Sequence, residues 1–159
     1  AGLVLLDPAQ GLDPATALRL ATDSVADPGY ADAAEAKAAK RSEGWAEVAD
    51  EHLDTEIAEH LIPTDDGRVG WRVCTPATAV AWSDMAREAV LPPAGIPTTV
   101  VVADHVDPPF VRSPFLDACA RLRPDTVRIV RADCGHMVPF ARPALTADLV
   151  DAAVWTVGS

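Results

Sequence analysis

The sequence predicts an α/β fold, part of a doubly wound parallel sheet with a helical segment inserted into it. Two observations predict it. Short apolar or β-branched runs stand at 2–6 ("GLVLL"), at 98–102 and in "DTVRIVRA" near 125–132, and each has the length and composition of a strand. The order after residue 93 is strand, helix, strand, helix, which implies parallel pairing with right-handed crossovers.

Each element follows from local pattern. "GLVLL" is apolar at every position and ends in "DP", as a strand buried on both faces does. Residues 14–26 carry an apolar stripe of Ala17, Leu18, Leu20, Ala21 and Val25, with Asp13 as N-cap and Pro14 at the first helical position. "DPGY" at 27–30 is a turn. "ADAAEAKAAKR" at 31–41 has high helix propensity. Through "EGWAEVADEHLDTEIAEHLI" the spacing of Trp45, Val48, Ala49, His52, Leu53, Ile57 and Leu61 predicts one or two helices. "PTDDGR" is a turn, "VGWRV" a short strand or extended loop, and the segment from Pro76 to Leu91 another helix. After Pro92-Pro93 come the strand at 98–102, a helix over 112–122, the strand within "DTVRIVRA", a loop "ADCGHMVPFARP", and a last helix over 144–157 with Leu145, Leu149, Ala152, Ala153 and Val157 inward.

Composition bounds the function. The 159 residues are 49% hydrophobic, enough for one domain with a true core. The net charge of −11 repels phosphate backbones and anionic lipid, which argues against nucleic-acid and membrane-surface partners. No run approaches the roughly 18 apolar residues of a membrane span, and the start lacks the basic leader of a signal peptide. Cys74, Cys119 and Cys134 form no CxxC pair, which suggests reduced thiols and a cytoplasmic location. Cys134, His136 and His105 lack the tight ligand spacing of a metal site, so none is expected.

In open sheets of this kind the chemistry lies just beyond the carboxyl ends of the strands. Two loops fall there, 103–110 with Asp104, His105 and Asp107, and 132–140 with Asp133, Cys134 and His136. An aspartate bonded to one imidazole nitrogen fixes the tautomer and leaves the other nitrogen as a general base. Cys134 is too close to His136 along one loop to be its nucleophile and reads as a buried thiol. His52 and His60 lie on a solvated acidic helix.

Four segments resemble the carboxyl-terminal half of an α/β-hydrolase with a helical cap. "GLVLLDP" resembles the strand after the nucleophile helix. "IPTTVVVADHVDPP" resembles the strand and loop that deliver the acid. "ADCGHMVPFARP" resembles the histidine loop, and "DGRVGWR" a segment of the cap. The resemblance covers the whole chain. It implies a core of residues 1–8 and 94–159 and a cap of residues 9–93. His136 becomes the triad histidine and Asp107, in its Asp-Pro pair, the triad acid. The family often has glycine where this chain has Asp104. Asp7 is the alternative acid, because some members take it from the earlier strand end. Trp45, Trp71 and Trp82 fall in the cap. Trp45, Trp82 and Met137 are candidates to line a small-molecule pocket.

The family places its nucleophile on a G-x-S-x-G turn, and the sequence contains none. Its serines, Ser24, Ser42, Ser83, Ser113 and Ser159, suit helix surface, cap or tail. The resemblance therefore implies an esterase-like hydrolase of a small apolar ester, amide or thioester. This chain would give the acid and base and need no cofactor. A missing segment or second chain would give the nucleophile, and without it the chain would be inactive. The apolar strand 2–6, left at a sheet edge, would favour association. Epoxide or haloalkane hydrolysis with an aspartate nucleophile, and a non-enzymatic α/β binding module, are the alternatives.

Overall fold

The computed structural model describes residues 1–26 and 29–155, with Trp155 as backbone only. Asp27 and Pro28 of the expected turn, and Val157 of the last helix, lie outside the described residues. The chain forms two compact units, residues 1–12 with 87–159, and residues 13–86.

The first unit holds a parallel sheet of three strands, β1 (Leu3–Leu6), β4 (Thr98–Ala103) and β5 (Val127–Ala132), in the order β1-β4-β5. Leu3 faces Thr98 and Leu6 faces Val101, while Thr98 faces Val127 and Ala103 faces Ala132. Side chains alternate between the two sides of β4. Val101 and Ala103 join Ala132, Cys134, Val138 and Leu149 in one core cluster. Val100 and Val102 join Val111, Phe115 and Cys119 in the other. Helix α5 (Ser113–Leu122) supplies Phe115 and Cys119, and α7 (Pro143–Trp155) supplies Leu149. A strand covered on both faces must be apolar at every position, which is why the run at 98–102 does not alternate. β5, at the sheet edge, places Arg128 and Arg131 outward; charge at an edge opposes strand-to-strand association.

A short helix, α6 (Val138–Ala141), occupies part of the segment expected to be loop. Pro139 sits in its first turn, where a missing N–H costs nothing. In α7 Leu149 is buried, whereas Ala152 is exposed although the sequence stripe places it inward.

The second unit is helical: α1 (Pro14–Ala26), α2 (Ala33–Lys40), α3 (Asp50–His60) and α4 (Thr75–Met85), with a small antiparallel pair, β2 (Leu61–Pro63) and β3 (Val69–Trp71). Asp13 caps α1 by accepting the Thr16 N–H at 2.9 Å. Leu18 and Val25, expected in its buried stripe, are 68% and 61% exposed. The helix expected to run through Leu61 stops at His60, because Pro63 disfavours a helical residue before it; Leu61–Pro63 pairs with "VGW" instead. Gly29 has φ +71, and an added Cβ would lie 2.6 Å from the Val69 carbonyl oxygen, so only glycine fits there. A kink at Gly44 (φ 102) follows α2 and delivers Trp45 to the core.

Candidate active site

The carboxyl ends of the three strands bring together Asp7, the loop after β4 and the loop after β5. Asp7 directly follows β1. Its N–H donates to the Val101 carbonyl at 2.8 Å, which extends the parallel ladder by one bond. Its φ is +47, the left-handed region. Aspartate visits that region more readily than most residues, at a cost of about 1–3 kcal/mol that the surroundings must hold in place. The turn swings the carboxylate across the end of β4. Oδ1 accepts the Ala103 N–H at 3.0 Å, and Oδ2 meets His136 Nδ1 at 2.8 Å. Asp7 is 1% exposed. A buried carboxylate of this kind is tolerable because both oxygens are bonded.

His136 is held by the loop after β5. The Cys134 N–H donates to the Ala132 carbonyl at 2.8 Å, and the Val138 N–H to the His136 carbonyl at 2.8 Å. Cys134 and Val138 are buried in the adjoining cluster and anchor the loop on either side of the histidine. The two loops are also tied to each other. The Asp104 N–H donates to the Ala132 carbonyl at 2.9 Å and the His105 N–H to the Cys134 carbonyl at 3.0 Å. His105 Nε2 meets Asp133 Oδ1 at 2.8 Å, and Asp104 pairs with Arg131. The Phe110 ring stands edge-to-face against the imidazole, with centroids 4.6 Å apart and planes at 85°.

The His136 side chain is 37% exposed and that of Asp7 is 1% exposed. This arrangement suits proton transfer. With Asp7 ionised, Nδ1 of His136 carries the proton, so Nε2 of the neutral ring is the acceptor. The buried carboxylate fixes the tautomer, while the imidazole remains partly exposed.

Asp107, the acid preferred from the sequence, stands elsewhere. It is exposed, four residues past the end of β4, in a turn that leads into a cis peptide bond with Pro108. The carboxylate that meets His136 is that of Asp7, the alternative. The signal for Asp7 was present in the sequence: an aspartate immediately after an all-apolar strand is placed by the sheet register, whereas one four residues into a loop is not. Asp104 is half a loop away and engaged with Arg131.

The other expected residues divide. Met137 is half-buried beside His136, and its carbonyl accepts the N–H groups of Phe140 and Ala141 at the start of α6. Trp45 is 8% exposed in the core of the helical unit, with the Lys40 ammonium 4.7 Å from its ring centre. That burial leaves it little surface for a ligand, so it packs rather than lines. Trp82 is half-buried and donates from Nε1 to Ser24 Oγ at 3.2 Å. Among the described residues no three His, Cys, Asp or Glu side chains converge as a metal site, and no helix is long and apolar enough to cross a membrane.

No protein-family model matches the chain. It is 41% identical over 150 residues to the lipase LipV of Mycobacterium tuberculosis (strain ATCC 25618 / H37Rv), an alignment that takes in 94% of this chain and 58% of that protein. The chain thus spans little more than half the length of the curated relative it matches. Among solved structures it superposes on E-2-(acetamidomethylene)succinate hydrolase with a TM-score of 0.67 at 17% identity, covering 96% of this chain and 57% of the other. It also superposes on a marine microorganism esterase (TM-score 0.60, 14% identity, covering 96% and 60%) and on the thioesterase domain from the curacin biosynthetic pathway (0.63, 18%, covering 94% and 56%). At these identities the superpositions speak for the fold alone.

Proposed function

Because the chain belongs to the α/β-hydrolase family, we propose that it supplies the base and acid of a serine esterase-like site, with His136 as base and Asp7 as the residue that orients it. The observation that carries this reading is the 2.8 Å bond between the buried Asp7 carboxylate and His136 Nδ1 at the carboxyl ends of parallel strands. Nε2 takes the proton of a serine hydroxyl as that oxygen attacks an ester, amide or thioester carbonyl. Asp7 stabilises the imidazolium that forms. The imidazolium then gives its proton to the leaving group, and water repeats the cycle on the acyl-enzyme. The chemistry needs no cofactor.

In this reading the serine comes from a segment beyond residues 1–159, on the same polypeptide or on a second one. Met137, half-buried beside His136, contributes to the lining for a small apolar substrate. The 41% identical relative named a lipase supports acyl transfer over epoxide or haloalkane chemistry.

The test is an intact mass of the natively purified sample after treatment with a fluorophosphonate. A gain of the probe's mass on a second polypeptide supports a two-chain enzyme. A gain on a longer polypeptide that contains these residues supports a one-chain enzyme. A sample that hydrolyses p-nitrophenyl butyrate without taking up the probe would sink the serine mechanism and redirect the reading to an aspartate nucleophile.

A further inference from the structure

We propose that Phe110 is a positioning residue for His136, setting the plane of the imidazole that Asp7 anchors at one nitrogen. The inference rests on the reading of His136 as the base. A single hydrogen bond at Nδ1 fixes one point of the ring. The ring can still swing about the axis of that bond, and such a swing carries Nε2 out of line with a nucleophile. An edge-to-face aromatic contact at 4.6 Å and 85° supplies the second constraint.

The segment that carries Phe110 is built to hold it still. Pro108 and Pro109 precede it, and each fixes its own φ. Val111 follows it, is 3% exposed in the cluster with Phe115 and Cys119, and forms a parallel bridge with Gln10. Gln10 lies three residues after Asp7 and accepts the Val90 N–H through Oε1 at 3.0 Å. The acid and the aromatic ring are thus set on two segments that pair with each other. A change at either is transmitted to the same imidazole.

The contact belongs to the chemical step, not to substrate binding. A misplacement of about 1 Å in a catalytic group can cost as much as 100-fold in rate, and a loss confined to the transition state lowers kcat while leaving KM.

The experiment uses the hydrolase complete with its nucleophile-bearing segment and p-nitrophenyl butyrate as probe. Phe110→Ala, Phe110→Leu, Phe110→Tyr and His136→Ala are compared by kcat, KM and melting temperature. Phe110→Leu keeps apolar volume without a flat ring, and it serves in place of Phe110→Ala if that variant fails to fold. The expected result is a fall in kcat of about tenfold for Ala and Leu, KM within about twofold, and near-normal kcat for Tyr. Unchanged kcat in both Ala and Leu, or a raised KM with kcat intact, overturns the inference while an inactive His136→Ala leaves the base assignment standing. Full turnover by His136→Ala overturns both.

Discussion

Asp7 carries three burdens on one residue: a left-handed backbone, complete burial and two hydrogen bonds at its carboxylate. Such backbone strain persists only where the surroundings over-determine it. Here the Val101 carbonyl and the Ala103 N–H hold the backbone and the side chain. On the proposed assignment, Asp7→Asn keeps the shape but reverses the preferred tautomer of His136, and kcat should fall on the order of 10⁴-fold. Asp107→Asn should leave kcat within about threefold. Steady-state kinetics on the two variants decides between the carboxylates.

The thiols give an independent check of the same packing. Cys74 is exposed, while Cys119 and Cys134 are buried. Burial pushes the Cys119 thiol up from its ordinary range, opposed in part by Arg123. In the native protein iodoacetamide should modify Cys74 first, and all three only after denaturation, as read by mass. The folded state favours the neutral Cys119 thiol. Its contribution to stability is therefore present below the ordinary thiol pKa and lost as pH rises through the raised one.

Among the elements, the turn between α2 and α3 depends on one side chain. Arg41 donates to the carbonyls of Trp45, Ala46 and Val48 and pairs with Asp50 at 2.6 Å. Its guanidinium spans these acceptors as a planar fork, which an ammonium does not do. Arg41→Ala leaves part-buried carbonyls without this donor and should destabilise the helical unit by about 1–3 kcal/mol. Arg41→Lys should recover little of that. Chemical denaturation followed by tryptophan fluorescence measures both, since Trp45 sits in that core. The salt bridge alone would be worth little, because the Asp50 side chain is 74% exposed.

At the scale of the molecule, the helical unit is an insertion. The chain leaves the sheet unit after Leu12 and re-enters at Arg87. The two crossing points are close: a Cβ built on Gly11 would lie 3.5 Å from that of Ala89. A short Gly-Ser linker in place of residues 13–86 should therefore leave the β1-β4-β5 sheet intact. In the proposed reading, KM would change more than the reactivity of the serine toward a fluorophosphonate. Loss of all labelling together with the circular-dichroism signal of the sheet would refute this independence.

The sequence by itself determined the strands, read at 2–6 and 98–102 and observed at 3–6 and 98–103, the closing strand-helix-strand-helix order and the place of His136. These rest on local physics. The β-branched run is buried as the central strand, whereas the leucine-rich run expected to be buried on both faces lies half-buried at the sheet edge. Tertiary structure decided what contact alone can decide. Leu61–Pro63 became a strand because "VGW" was there to pair with it. Trp45 became core rather than pocket lining, at 8% exposure beside Lys40 of α2. Asp7, not Asp107, met His136. Both aspartates precede proline, so the Asp-Pro pair cannot separate them, whereas distance from the strand end does. The parallel register separates them, because it sets Leu6 opposite Val101 and so carries the next residue's carboxylate across the end of β4 to the histidine, 129 positions away in the chain.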